Sequence, residues 1–85
     1  MPYIKQSDRV EISSGARLAK TAGELNFRLT SIANEYLEAR GQSYTTFNEV
    51  IGALECAKLE MYRRMVAPYE DRKMIENGDV YGKKT

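Results

Sequence analysis

The sequence predicts an all-α protein, an antiparallel helical hairpin followed by a short third helix. Two apolar stripes at helical spacing each begin at a capping-box signature, only about four or five residues separate them, and no alternating stretch finds a strand partner. A connection that short makes the two helices neighbours of opposite direction.

The first helix, about residues 21–40, opens at Thr21-Ala22-Gly23-Glu24. A threonine there can accept from the amide three residues on while the glutamate reaches back to the threonine amide. Ala22, Leu25, Leu29, Ile32, Tyr36 and Ala39 then hold the heptad spacing, and Gly41 is the natural stop. The second helix, about 46–66, opens at Thr46-Phe47-Asn48-Glu49. Its seam of Phe47, Ile51, Leu54, Lys58, Met61 and Met65 follows a 4,3,4,3,4 rhythm until Pro68, which cannot continue the backbone hydrogen bonding without a kink. Pro68 starts the third helix, about 68–77, with Glu70 and Asp71 as first-turn acids, and Asn77-Gly78 stops it.

The organisation that follows is an irregular amino-terminal arm over 1–20, a helical domain over 21–78 and a flexible tail over 79–85. In the arm, Ser13-Ser14-Gly15 is a break, Ser7 or Asp8 can start one helical turn, and Tyr3 and Ile4 suit an apolar strap. Val10-Glu11-Ile12 alternates like a strand, but an isolated strand is not stable.

One chain cannot use all this apolar material in one seam. At ~100° per residue Phe27 points away from the Leu25/Ile32 stripe, and Gly52, Cys56, Leu59 and Arg63 share a flank of the second helix where the glycine admits another backbone. Domains of this length bury only roughly 60–65% of their unfolded surface. The single cysteine rules out an intrachain disulfide, and the absence of histidine weakens any zinc proposal, so association is the remaining source of stability. A homo-oligomer with Phe27, Gly52, Cys56 and Leu59 at its interface, two hairpins forming a four-helix bundle, is the expected architecture. The alternative is that the arm covers these places.

Lys58 is the residue least at home in its pattern. A lysine in a seam either fixes register and oligomeric state, its ammonium reaching a glutamate, or holds an anion. Lys58 and Arg63 with Tyr62 can take a phosphate or carboxylate and stack a base, and Arg63, Arg64 and Arg72 with Tyr62 and Tyr69 can form an anion pocket where two helices meet. Against that, Arg63 and Arg64 suit the end of a helix and the neighbouring acids explain every charge locally.

Several segments together resemble a known family. They are Met1-Pro2-Tyr3-Ile4, Gly23-Glu24-Leu25-Asn26-Phe27, Asn48-Glu49-Val50-Ile51-Gly52-Ala53-Leu54-Glu55, Glu60-Met61-Tyr62-Arg63-Arg64, Pro68-Tyr69-Glu70-Asp71 and Asn77-Gly78-Asp79-Val80-Tyr81. The chain resembles small uncharacterised proteins of bacterial and phage genomes, over most of its length from about Thr21 to Tyr81. That resemblance implies an all-helical fold and brings no established activity and no catalytic residues. A phage or mobile-element setting adds interference with host defence to the candidate functions.

Composition narrows the rest. A net charge of +1 with both signs interspersed gives no electrostatic footprint for nucleic acid, although Arg63, Arg64, Arg72 and Lys73 keep an accessory role in view. No apolar run approaches the roughly 20 residues of a membrane span, and no signal-peptide pattern opens the chain, so a cytoplasmic protein is expected. Without histidine, a glycine-rich phosphate loop or metal-ligand spacing, neither an enzyme nor a cofactor or metal site is expected. Glu55 and Glu60 point in different directions, and Cys56 is expected to be buried and inert. The leading function is a homo-oligomeric interaction protein that binds a protein partner. The alternative is a module that sequesters a nucleotide-like anion in pockets between subunits.

Overall fold

The computed structural model describes residues 1–82, and every regular element among them is helical. In order these are α1 (Gln6–Ser13), α2 (Ala22–Arg40), α3 (Tyr44–Met61), a π-helical turn (Tyr62–Val66) and α4 (Ala67–Asn77). The chain divides into two compact units, Met1–Val50 and Ile51–Thr85, with the boundary inside α3.

In the first unit the arm is ordered as a helix rather than irregular. Val10-Glu11-Ile12 belongs to α1, which turns Ile12 inward and leaves Val10 outside. The Ser13-Ser14-Gly15 break is the end of that helix. Gly15, at φ 81°, donates to the carbonyl of Ile12 at 3.2 Å, and the Ala16 amide donates to that of Glu11 at 2.9 Å, the paired bonds of a Schellman stop. The positive φ is the region glycine occupies without a Cβ penalty. α1 packs on α2. Ahead of it, Ile4 is half-buried and Tyr3 exposed, so only Ile4 acts as a strap. It crosses the start of α2, where a Cβ on Gly23 would sit 3.2 Å from the Met1 carbonyl and 3.4 Å from Ile4 Cγ2.

α2 begins as its sequence indicates. The Glu24 amide donates to Thr21 Oγ1 at 3.1 Å, and Gly41 closes the helix by donating to the Leu37 carbonyl at 2.8 Å. The return half of the capping box is absent, because the Glu24 carboxylate accepts from the Lys20 amide at 2.9 Å instead.

α3 starts two residues earlier than expected, and its cap is Ser43, not Thr46. Thr46 donates its amide to Ser43 Oγ at 3.2 Å, and the Ser43 amide donates to Thr46 Oγ1 at 2.9 Å. The reciprocal pair is a capping box with threonine in the place of glutamate. The Thr46 hydroxyl also donates to the Gly41 carbonyl at 2.8 Å, which ties the end of α2 to the start of α3 and buries Thr46. Glu49, released from capping, accepts from the Tyr36 hydroxyl at 2.6 Å.

In the second unit α3 runs into the π turn rather than stopping at Pro68. The Ala67 amide donates to the Tyr62 carbonyl five residues back. A proline in α-helical register crowds the carbonyl four residues before it and supplies no amide. The wider π turn just before Pro68 absorbs that mismatch and lets α4 begin with the proline in its first turn. Past α4, Tyr81 donates its amide to Asp79 Oδ1 at 2.9 Å, so 79–82 makes a side-chain-stabilised turn. The remainder of the expected tail, 83–85, lies outside the described residues.

The core is very small. Among the described residues Ile12, 2% exposed, is the one hydrophobic side chain that is fully buried. Leu25, Leu29, Ile32 and Tyr36 of the α2 stripe are exposed, as are Phe47, Ile51, Leu54 and Met61 of the α3 stripe. Both helices form as their periodicity requires, and among the described residues these stripe positions stay exposed. Assembly into a four-helix bundle remains an expectation.

Candidate functional site

The cations singled out in the sequence lie on the last turns of α3, the π turn and α4, and each is engaged within two turns of its own position. Lys58 Nζ lies 3.2 Å from Glu55, its side chain 69% exposed. Arg63 and Arg64 reach the two oxygens of one carboxylate, Glu60, at 3.6 and 3.5 Å. Spacings of three and four residues place such groups side by side on a helix, and exposed pairs of this kind contribute about 0–1 kcal/mol each. The Tyr62 hydroxyl donates to Glu70 at 2.8 Å across the π turn, which pushes the Tyr62 phenol above its ordinary range because the neighbouring carboxylate disfavours the phenolate. Tyr69 holds the Arg72 guanidinium and the Lys73 ammonium over its ring, each 5.7 Å from the centroid.

Lys58, Tyr62, Arg63, Arg64, Tyr69 and Arg72 therefore share one helical stretch without converging on one ligand position in a single chain. A cleft of this unit, about 420 Å³, lies along α4 instead. Glu70, Asp71, Lys73 and Met74 form one side of it, and the Asn77–Tyr81 segment forms the other. Its lining is more acidic than basic, which disfavours an anion.

The residues assigned to an interface separate into two groups. Phe27 is half-buried by its own arm, with the Arg9 guanidinium 6.0 Å from its ring centroid and Arg9 Nε donating to the Ile4 carbonyl at 2.8 Å. The arm supplies the partner this side chain lacked in the helical pattern. Gly52, Cys56 and Leu59 are exposed, and a Cβ at Gly52 would meet nothing within 4 Å. Cys56 is thus an exposed free thiol and not the buried one expected.

The densest side-chain chemistry centres on Arg17, which the sequence reading did not single out. Its guanidinium donates to Glu11 at 2.8 Å, to Asp8 at 3.0 Å and to both oxygens of Glu24 at 2.7 and 2.9 Å. Two of these carboxylates come from α1 and the third from the first turn of α2, so one side chain clamps the two helices. Glu24 is 8% exposed. The paired guanidinium, together with the Lys20 amide, holds its carboxyl down at about 2, and the same contacts raise Arg17 further above its already high range. With its fifth N–H donating to the Leu18 carbonyl at 3.1 Å, the guanidinium has no donor left for a ligand, so this cluster is a structural clasp. The Asp8-x-x-Glu11 spacing on one face of a short helix was a signal for it.

A family model described as a domain of unknown function, DUF6899, matches residues 1–80. The chain belongs to that family. The match runs from the arm through α4, so the DUF6899 domain includes the Arg17 clasp, both apolar stripes and the π turn. No curated protein and no solved structure matches the chain. Among the described residues no group of acidic or cysteine side chains is placed to hold a metal ion, and no helix is long and apolar enough to cross a membrane.

Proposed function

We propose that this DUF6899 protein is a homo-oligomeric helical interaction module of bacterial or phage origin that works in the cytoplasm by binding a protein partner, without catalysis. One observation carries the reading. Helices α2 and α3 expose their apolar stripes, while among the described residues a single hydrophobic side chain is fully buried. One fully buried isoleucine with a few half-buried neighbours makes a small core, and on this reading the rest of it is supplied between chains. A helical surface of the same kind, left over after self-association, is what a protein partner recognises.

The test is the mass of the native protein together with that of Leu54→Asp. A multiple of the chain mass for the native protein and the single-chain mass for the variant support the proposal. A native monomer with full helicity contradicts it.

A second reading draws on the π turn. Two guanidiniums, Arg63 and Arg64, share one carboxylate there, and π turns are frequent at functional sites. Repeated by symmetry, Lys58, Tyr62, Arg63 and Arg72 would form a pocket for a nucleotide-like anion, as a phage protein countering a nucleotide signal requires. Saturable binding of a cyclic dinucleotide that is lost in Arg63→Ala supports this reading. The absence of heat on titration with such nucleotides rejects it.

A further inference from the structure

The exposed stripe of α3 carries its own instruction about what covers it. Ile51, Leu54, Lys58 and Met61 lie at successive turns of one continuous helix, and all four are exposed. From Ile51 to Met65 every residue is exposed, the large hydrophobic side chains from 41% at Leu54 to 66% at Met65, so the stripe is open along its length. Ile51 and Met61 are equally far in sequence from position 56, and so are Leu54 and Lys58. A second copy of the helix laid antiparallel, with the two-fold axis level with residue 56, therefore sets Ile51 against the partner's Met61 and Leu54 against the partner's Lys58. Glu55 flanks Leu54, so each ammonium meets the partner's Glu55. Two lysines and two glutamates then alternate around the axis, and the stripe is complementary to itself in both shape and charge. A parallel pair has no such solution, because it sets Lys58 against the partner's Lys58 with the hydrophobic seam around both. We propose that the chains associate through α3 of two copies in this antiparallel register, with Lys58 and Glu55 selecting the orientation.

The inference rests on the self-association reading above and specifies its interface. In the isolated chain Lys58 and Glu55 pair with one another, both exposed, at 3.2 Å. On association the same two groups exchange partners across the axis, so neither charge is stranded when the seam closes. The lysine thereby acts as an orientation device, a role polar residues play in helical seams at some loss of stability. Gly52, Cys56 and Leu59 sit on the other side of the helix and stay clear of this contact.

The experiment is pulsed dipolar spectroscopy on the full chain, spin-labelled either at the native Cys56 or at Thr45→Cys in a Cys56→Ser background, alongside native mass spectrometry. Thr45 lies eleven residues before the axis level and is exposed. At 1.5 Å per residue the antiparallel pair separates the two Thr45 labels by about 33 Å or more, while the Cys56 labels stay within about 25 Å, roughly two helix diameters. That combination is the expected result. Short distances at both positions establish a parallel pair, and long distances at both establish a contact through another surface. Either overturns the antiparallel register while leaving self-association intact, whereas a monomeric mass overturns the self-association reading itself. A charge exchange gives a second readout. Lys58→Glu is expected to weaken association at least about tenfold, which corresponds to 1.4 kcal/mol. Adding Glu55→Lys to the same chain is expected to restore it, and failure of that restoration, with helicity unchanged, contradicts the cross-axis pairing.

Discussion

Arg17 grips Glu24 by both carboxylate oxygens, at 2.7 and 2.9 Å, and through that pair the arm is fastened to the first turn of α2. Arg17 follows the Schellman stop of α1 and precedes Thr21, so the clasp fixes the angle at which the arm returns over Phe27 and Gly23.

The clasp makes arm docking dependent on acid. In the folded chain the Glu24 carboxyl is held at about 2, below its ordinary 4.5. Its contribution is therefore fully present above 4.5 and is lost as the pH falls towards 2. The protection of amides 6–13 relative to their intrinsic exchange rates is expected to fall in that window, while protection in α3 persists. Glu24→Gln and Arg17→Leu should show the same loosening at neutral pH. Protection of 6–13 that is unchanged in both variants would sink the clasp.

Ile12 is the whole buried hydrophobic core of the first unit, so Ile12→Ala is expected to destabilise it by about 2–5 kcal/mol. Denaturant unfolding followed by circular dichroism measures this. A loss under about 1 kcal/mol would show that the arm contributes little.

The cap of α3 gives a sharper local test. Ser43→Ala removes the acceptor of the Thr46 amide and is expected to cost about 1 kcal/mol, with fraying at the start of the helix. Glu49→Gln, at the residue the sequence pattern nominated as half of the cap, should leave the helix start intact. The reverse order of effects would restore Thr46 as the cap.

Replacing both charges at once, Lys58→Met with Glu55→Leu, is expected to tighten self-association by about 1–4 kcal/mol, because apolar side chains of similar size take the place of the whole ion pair and no carboxylate is left stranded. The same change should relax the choice of orientation, which the Thr45 spin-label distances would reveal as a mixture of short and long. Weaker association would mean that the ion pair contributes more to the seam than apolar side chains do.

Both long helices were legible because their signals are local and repeated. Thr21 capping Glu24 and Gly41 ending α2 needed no tertiary information. The cap of α3 was misplaced because Ser43-x-x-Thr46 and Thr46-x-x-Glu49 offer the same spacing. The serine pair takes precedence since Thr46 can also tie off the Gly41 carbonyl. The π turn leaves no trace in a hydrophobic rhythm, which reports which side chains share a face and not whether the backbone bond spans four residues or five. The Arg17 clasp was missed because Asp8, Glu11, Arg17 and Glu24 meet only after the chain reverses at Gly15. Among the candidate site residues, the placement of Lys58 to Arg72 on consecutive turns could be read from spacing. Their engagement with Glu55, Glu60 and Glu70 is the local pairing that the same helical spacing offered as the alternative to a ligand pocket.

On the proposed reading, the core of this protein is completed by another copy of itself. Native mass spectrometry of the intact chain, combined with circular dichroism over a dilution series, tests it most directly. A closed oligomer is expected, with helicity falling as dilution drives dissociation. A single-chain mass with undiminished helicity at the lowest concentration would contradict it.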